Sequence, residues 1–309
     1  MPSINNLIRD TSHMSPASTL NAADIALLAG SDFEYHYKEL PKFSDAEIRQ
    51  YIDRTRSMAA PIATGFSDEH NAEWFIRSYL ALKLILASTL LANTALYARD
   101  HNLQAVGPYL SYYLMLNCCR AFNFTLPCVQ WKGLKTIEAT HSKILNTASD
   151  NLKRLSMSEE RRCGSILRIA QEQRNLFSYR FPASGLSLFG PSLVDLDTAI
   201  DIARLFTDLT QLNLACLEGE ILKRTSIAFS ISEVDDMWHT LRYETAAQDL
   251  IDSDDYHRVG YFHRKYTRPT ALIGMAREGL VEDFFGAWSS DNPVGFDPDV
   301  RNDLLLDLP

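Results

Sequence analysis

The sequence predicts a predominantly all-α protein. Three observations predict it. Apolar residues recur at helical spacing through most of the chain. Several of these runs open with side chains that cap helices. Gly and Pro are sparse, 13 and 12 among 309 residues, too few for a turn-rich β fold. With 46% hydrophobic and 22% charged residues the chain has ample material for a core. The expected division is an N-terminal helical extension over 1–66, a helical domain over 67–229, and a C-terminal helical and irregular region over 230–309.

Taken in order, residues 1–20 are rich in Ser, Asn and Thr and read as a frayed end. Asn21 caps a short helix over 22–29. Ser44 and Glu47 form the Ser-x-x-Glu box of an amphipathic helix over 44–60, which Pro61 is expected to break. Ser67 and Asp68 open a helix to about residue 100 that is apolar on most sides and belongs mid-core. Arg77, Lys83 and Asn93 inside its most apolar stretch favour a core helix over a membrane span. Pro108 starts a buried helix through 109–122, and Pro127 stops it. Ile137, Ile144, Leu145, Ala148 and Leu152 space a helix over 136–155. Ser156 and Glu159 are a second capping-box pair, introducing a helix over 159–178. Asp195 or Asp197 caps a long helix to Arg224. Beyond Ser230, helical patches at 234–250 and 270–285 flank a loop at 252–255. Short strands are expected within 256–266, where Tyr256, Val259, Tyr261 and Phe262 favour β structure. The Asp- and Pro-rich stretch 289–309 is expected to run along the surface.

The net charge of −9 excludes a protein coated in positive charge for non-specific nucleic-acid binding. It leaves room for a local basic site. Residues 132–180 hold ten Lys/Arg against five Asp/Glu, a balance of +5, whereas 231–255 hold eight acids against Arg242. Two solvated surfaces of opposite sign fit this pattern, and so does a basic groove on an acidic body. The five cysteines are odd in number and lack Cys-x-x-Cys or zinc spacing, so buried free thiols in a reducing, cytoplasmic compartment are expected. The first twenty residues lack an apolar leader core. No Gly-rich phosphate loop, Gly-x-Ser-x-Gly elbow or His-Glu-x-x-His occurs, and His257 and His263 match no metal-ligand spacing. Neither a metal nor a cofactor is expected.

The informative segment is Arg174-Asn175-Leu176-Phe177-Ser178-Tyr179-Arg180, at the end of a helix. Arg174 and Ser178 share one face, and Asn175 and Tyr179 another. Attraction of cations to a helix C-terminus, worth about 0.3–1 kcal/mol, accounts for the arginines but not for the Asn and Tyr that accompany them. Arg174-Asn175 with a polar residue five positions after the Arg resembles the signature of the HEPN superfamily. Tyr112-Tyr113 followed by Cys118-Cys119-Arg120 is similar to that family's first core helix. Residues 140–146, with His141 and Lys143, resemble its second, and 197–203 its closing helix. The resemblance covers about 75–225 and implies a HEPN-like helical bundle with additional N- and C-terminal helical elements.

The resemblance also implies a function near RNA. In family members that cut RNA, an Arg and a His face each other across a homodimer, without metal. The His position is Tyr179 here, and a phenol with a reference pKa near 10 is a poor general base. His141 is the alternative proton-transfer group. Candidate catalytic residues are therefore Arg174, Asn175, Tyr179 and His141, and candidate RNA-binding residues Arg180, Lys143 and Arg168. Three readings stay open: a non-catalytic module binding RNA, a nucleotide or a protein partner; a metal-independent ribonuclease of the toxin or antiviral-defence kind; and an unrelated helical interaction protein. A homodimer, and no membrane association, are expected in the first two.

Overall fold

Side chains that cap helices set most of the boundaries in the computed structural model, which describes residues 17–230, 240–269, 272–289 and 295–307. Asn21 and Asp24 cap α1 (Ala22–Ala29) reciprocally, and Ser44 and Glu47 do the same for α2 (Asp45–Thr64). Pro61 does not break α2. Its fixed φ suits the helix, and the chain continues to Thr64, where the Gly65 amide closes on the Pro61 carbonyl. Most of the expected frayed end, 1–16, lies outside the described residues. Ser18 and Thr19, by contrast, are pinned, both bonding the Asp45 carboxylate, with Thr19 N at 2.9 Å.

Helix α3 (Asp68–Asp100) is followed by α4 (Gly107–Thr125), a short α5 (Leu134–Ile137), α6 (His141–Leu152), α7 (Met157–Tyr179) and α8 (Leu196–Arg224). The single helix expected over 136–155 is two, because Thr140 adopts the extended conformation of an N-cap and starts a new one. The second capping box does not form. Ser156 Oγ pairs with Ser158 Oγ, and the Glu159 carboxylate turns to Arg162 and Cys163 instead. Asp195, not Asp197, caps α8, accepting from the Thr198 amide at 2.7 Å.

Helix α4 is the hub. It packs on α3 and α8 on one side and on α6 and α7 on the other, while α2 lies along α8. One hydrophobic cluster runs from Ile25 of α1 through Leu82 of α3 and Phe122 of α4 to Leu305 near the C-terminus. Helix α3 is long and apolar enough to cross a membrane, yet 67% of its apolar window is buried against other elements. The fold is predominantly all-α, with one two-stranded sheet among the described residues.

The C-terminal region departs from expectation in three places. Of the helix expected over 234–250, residues 231–239 lie outside the described residues. The remainder folds as an antiparallel hairpin, β1 (Arg242–Glu244) and β2 (Asp249–Ile251), with Tyr243 opposite Leu250. The Thr245 amide and hydroxyl both bond the Gln248 carbonyl, and that local turn overrides helical spacing. In place of the strands expected within 256–266, α9 (Ser253–Lys265) forms. Asp252 caps it, accepting from the Asp254 and Asp255 amides, and it buries Val259 and Phe262 three residues apart. From Leu272 the expected helix is present as α10 (Leu272–Met275), a π-helical turn (Ala276–Leu280) and α11 (Val281–Ala287). The stretch after 289 does not simply follow the surface. Leu304, Leu305 and Leu306 are buried, Arg204 Nε donates to the Leu304 carbonyl, and the Asp307 amide donates to the Tyr35 hydroxyl at 3.1 Å.

Candidate functional site

Three helices bring chemistry together where α4, the first turn of α6 and the C-terminal half of α7 meet. Helix α4 contributes Tyr112, Tyr113 and, two turns on from Tyr113, Arg120. His141 is the first residue of α6, and Arg174 and Asn175 lie on α7. The helices are tied locally. Asn123 Nδ2 of α4 donates to the Ile144 carbonyl of α6 at 2.9 Å. Gly164 lets α7 approach α6 so closely that a Cβ there would lie 2.4 Å from Ser149 Oγ.

Arg174 donates one guanidinium nitrogen to the Tyr113 hydroxyl and another to Asn175 Oδ1 at 3.1 Å. Its guanidinium carbon lies 5.3 Å from the centre of the Tyr113 ring and 5.9 Å from that of Tyr112, within cation–π range. The Tyr112 hydroxyl is 2.9 Å from His141 Nδ1. The imidazole sits edge-on to Tyr113, ring centres 5.9 Å apart. The two tyrosines thus connect an arginine on α7 to a histidine on α6.

Among the described residues, no carboxylate balances this charge, and Arg120, Arg174 and His141 form no ion pair. The Nε atoms of both arginines are buried without an acceptor, a costly state for a charged donor. Burial, followed by the charges of Arg120 and Arg174, pulls the His141 pKa below its usual value, so the ring is uncharged at neutral pH. Burial pushes the Tyr112 phenol up to about 12 and pulls Arg120 below the ordinary arginine value. Partial burial works against the charge of Arg174, but the Tyr113 hydrogen bond and the neighbouring phenols outweigh it, and its pKa is raised. Thr140 makes no side-chain cap at the start of α6, so its first-turn amides add their partial positive charge beside His141. Such a site suits an oxyanion. Two guanidinium groups offer paired donors, and a neutral imidazole stands ready to take or share a proton.

The structure therefore joins three of the sequence candidates, Arg174, Asn175 and His141. Among the described residues no hydrogen bond or ion pair joins the others to them, although the Tyr179 phenol lies near enough to act on the charge of Arg174. Tyr179, 81% exposed, stands past the cluster at the end of α7, and Arg180 is exposed just beyond. Lys143 is exposed on α6. Arg168 bonds the Gly164 carbonyl and lines a separate cleft with Ser149, Asp150 and Glu160. Sequence reasoning did not place Tyr112, Tyr113 and Arg120 in the site. Their signal was present, since Tyr113 and Arg120 lie seven residues apart on one helical face. Among the described residues, no three His, Cys, Asp or Glu side chains converge in a way that would hold a metal ion. Four cysteines are buried free thiols, whereas Cys128, expected inside, is exposed and accepts from Arg154. Compared with known proteins, the chain matches no family model, no curated protein and no solved structure.

Proposed function

We propose that this chain is an RNA-associated, HEPN-like protein that binds a backbone phosphate at the Arg120–Arg174–His141 cluster, acting in the cytoplasm as a homodimer. The observation that carries the reading is the meeting of two arginines and a histidine with no carboxylate partner among the described residues. A phosphodiester supplies the negative charge that the cluster lacks and acceptors for the terminal guanidinium nitrogens. The acidic remainder of the molecule, at −9 overall, confines attraction to that locality. The test is fluorescence anisotropy with a labelled RNA oligonucleotide. Arg174→Ala and Arg120→Ala are each expected to weaken binding by about 1.5–3 kcal/mol, roughly tenfold or more, the range for a hydrogen bond to a charged group. Affinities equal to wild type in both variants would sink the reading.

One observation favours catalysis at the same place: His141, uncharged at neutral pH, is held against Tyr112 beside Arg174. In that reading His141 accepts the proton of a ribose 2′-hydroxyl as its oxygen attacks the adjacent phosphorus. The arginines stabilise the charge that develops on the phosphoryl oxygens, and the 5′-oxygen leaves with a proton from solvent. Cleavage in excess chelator that disappears in His141→Ala while RNA affinity persists separates enzyme from binding module.

A further inference from the structure

Beside the cationic cluster, at the end of α7, the surface turns aromatic. Tyr179 is 81% exposed, Phe181 61% and Leu188 54%. The rings of Phe181 and Phe189 are not loosely placed. Phe177, buried beneath them, meets Phe181 edge-on at 5.6 Å, lies parallel to Phe189 at 5.8 Å and touches Tyr109 of α4 at 6.5 Å. Phe181 itself holds φ at +37°, a backbone state that bulky L-residues rarely adopt, and its ring stays outward all the same. Tyr109 lies one turn before Tyr113 on α4, and Phe177 lies three residues after Arg174 on α7. The floor beneath the aromatic surface is therefore carried by α4 and α7, two of the three helices that build the phosphate site. Arg180, which stands between Tyr179 and Phe181 in sequence and is exposed, adds a cation at this end of α7.

We infer that Tyr179 and Phe181 form a base-stacking shelf, so that the site takes single-stranded RNA, with a phosphate on Arg174 and an unpaired neighbouring base on the exposed rings. This rests on the phosphate reading above. A paired base has both faces occupied by its neighbours in the helix and presents none to a shelf, whereas an unpaired base presents a π-face whatever its identity. The shelf accordingly selects for strandedness and not for sequence. It also gives Tyr179 a role in holding the strand, leaving proton transfer to His141.

The experiment compares three labelled ligands by anisotropy: a single-stranded RNA, the same strand in a duplex, and a strand of equal length carrying abasic sites. Wild type is expected to bind the first roughly tenfold or more tightly than the other two. The double variant Tyr179→Ala with Phe181→Ala is expected to bind all three alike, while Tyr179→Phe keeps the preference. Because both residues are exposed, the fold is expected to persist, as checked by circular dichroism. Arg174→Ala weakens all three ligands together and so reports on the phosphate reading separately. Equal wild-type affinity for the three ligands, with Arg174→Ala still weakening each, overturns the shelf and leaves the phosphate site standing. Absence of binding to any ligand overturns both. A dimer that the double variant splits into monomers, with strand preference unchanged, makes the shelf a subunit interface and overturns the inference.

Discussion

His141 sits between two guanidinium charges and a buried phenol, so its titration reports directly on the site. Burial and the two arginines place its pKa below the ordinary 6.5. Arg174→Ala removes one of the depressing charges, and the His141 pKa is expected to rise. Bound inorganic phosphate, a negative charge, is expected to raise it as well. Following the imidazole Cε1–H resonance against pH checks both, and an unchanged pKa in Arg174→Ala would refute the proximity. A general base works only when unprotonated, so any cleavage activity is expected to climb with pH through a pKa below 6.5 and then stay level across neutrality. At this scale the sequence was half legible. Asn175 and Tyr179 beside Arg174 stood out because helix-end electrostatics accounts for the arginine and not for them, and His141 was named as an alternative. Their meeting was not legible, because it depends on how α6 and α7 pack across α4, and no local spacing encodes that.

Elements were legible where a cap and an apolar period agreed. Asn21, Ser44 and Asp195 mark helix starts that the structure keeps. Legibility failed where a side chain had a second partner to choose. Glu159 prefers Arg162 to the Ser156 amide, and Thr245 ties off a hairpin inside a stretch with helical spacing. Between elements, Gly219 of α8 shows why a residue without a side chain is needed. A Cβ there would lie 2.4 Å from the Ala29 carbonyl oxygen and 2.7 Å from that of Gly30, both backbone atoms that cannot swing away. Gly219→Ala is therefore expected to push α1 off α8 and destabilise the fold by about 1–3 kcal/mol, read from the urea midpoint. No loss of stability would mean that the two helices approach less closely than described.

Across the whole molecule, a net charge of −9 surrounds a small cationic site. Attraction to RNA is then local, and few counterions are released on binding. The slope of log affinity against log salt for a single strand is about −0.7 per phosphate contacted, so Arg174→Ala is expected to make it shallower by about 0.7. An unchanged slope would place Arg174 away from the phosphate. The basic bias of 132–180 hinted at such a site from sequence alone, but of the four cations named there, Arg174 as catalytic and Arg180, Lys143 and Arg168 as RNA-binding, Arg174 alone lies in the cluster. Nothing in the sequence signalled that the stretch after 289 would fill the core, since three consecutive leucines in an Asp-rich segment carry no helical or strand period. That placement has a consequence for biosynthesis. Leu304, Leu305 and Leu306 are buried, and Asp307 reaches back to Tyr35, a residue made 272 positions earlier. A ribosome-bound chain with α1 to α8 already coiled still has the place of these leucines open to chaperones and proteases, and it is covered only once residue 307 is free to reach its seat.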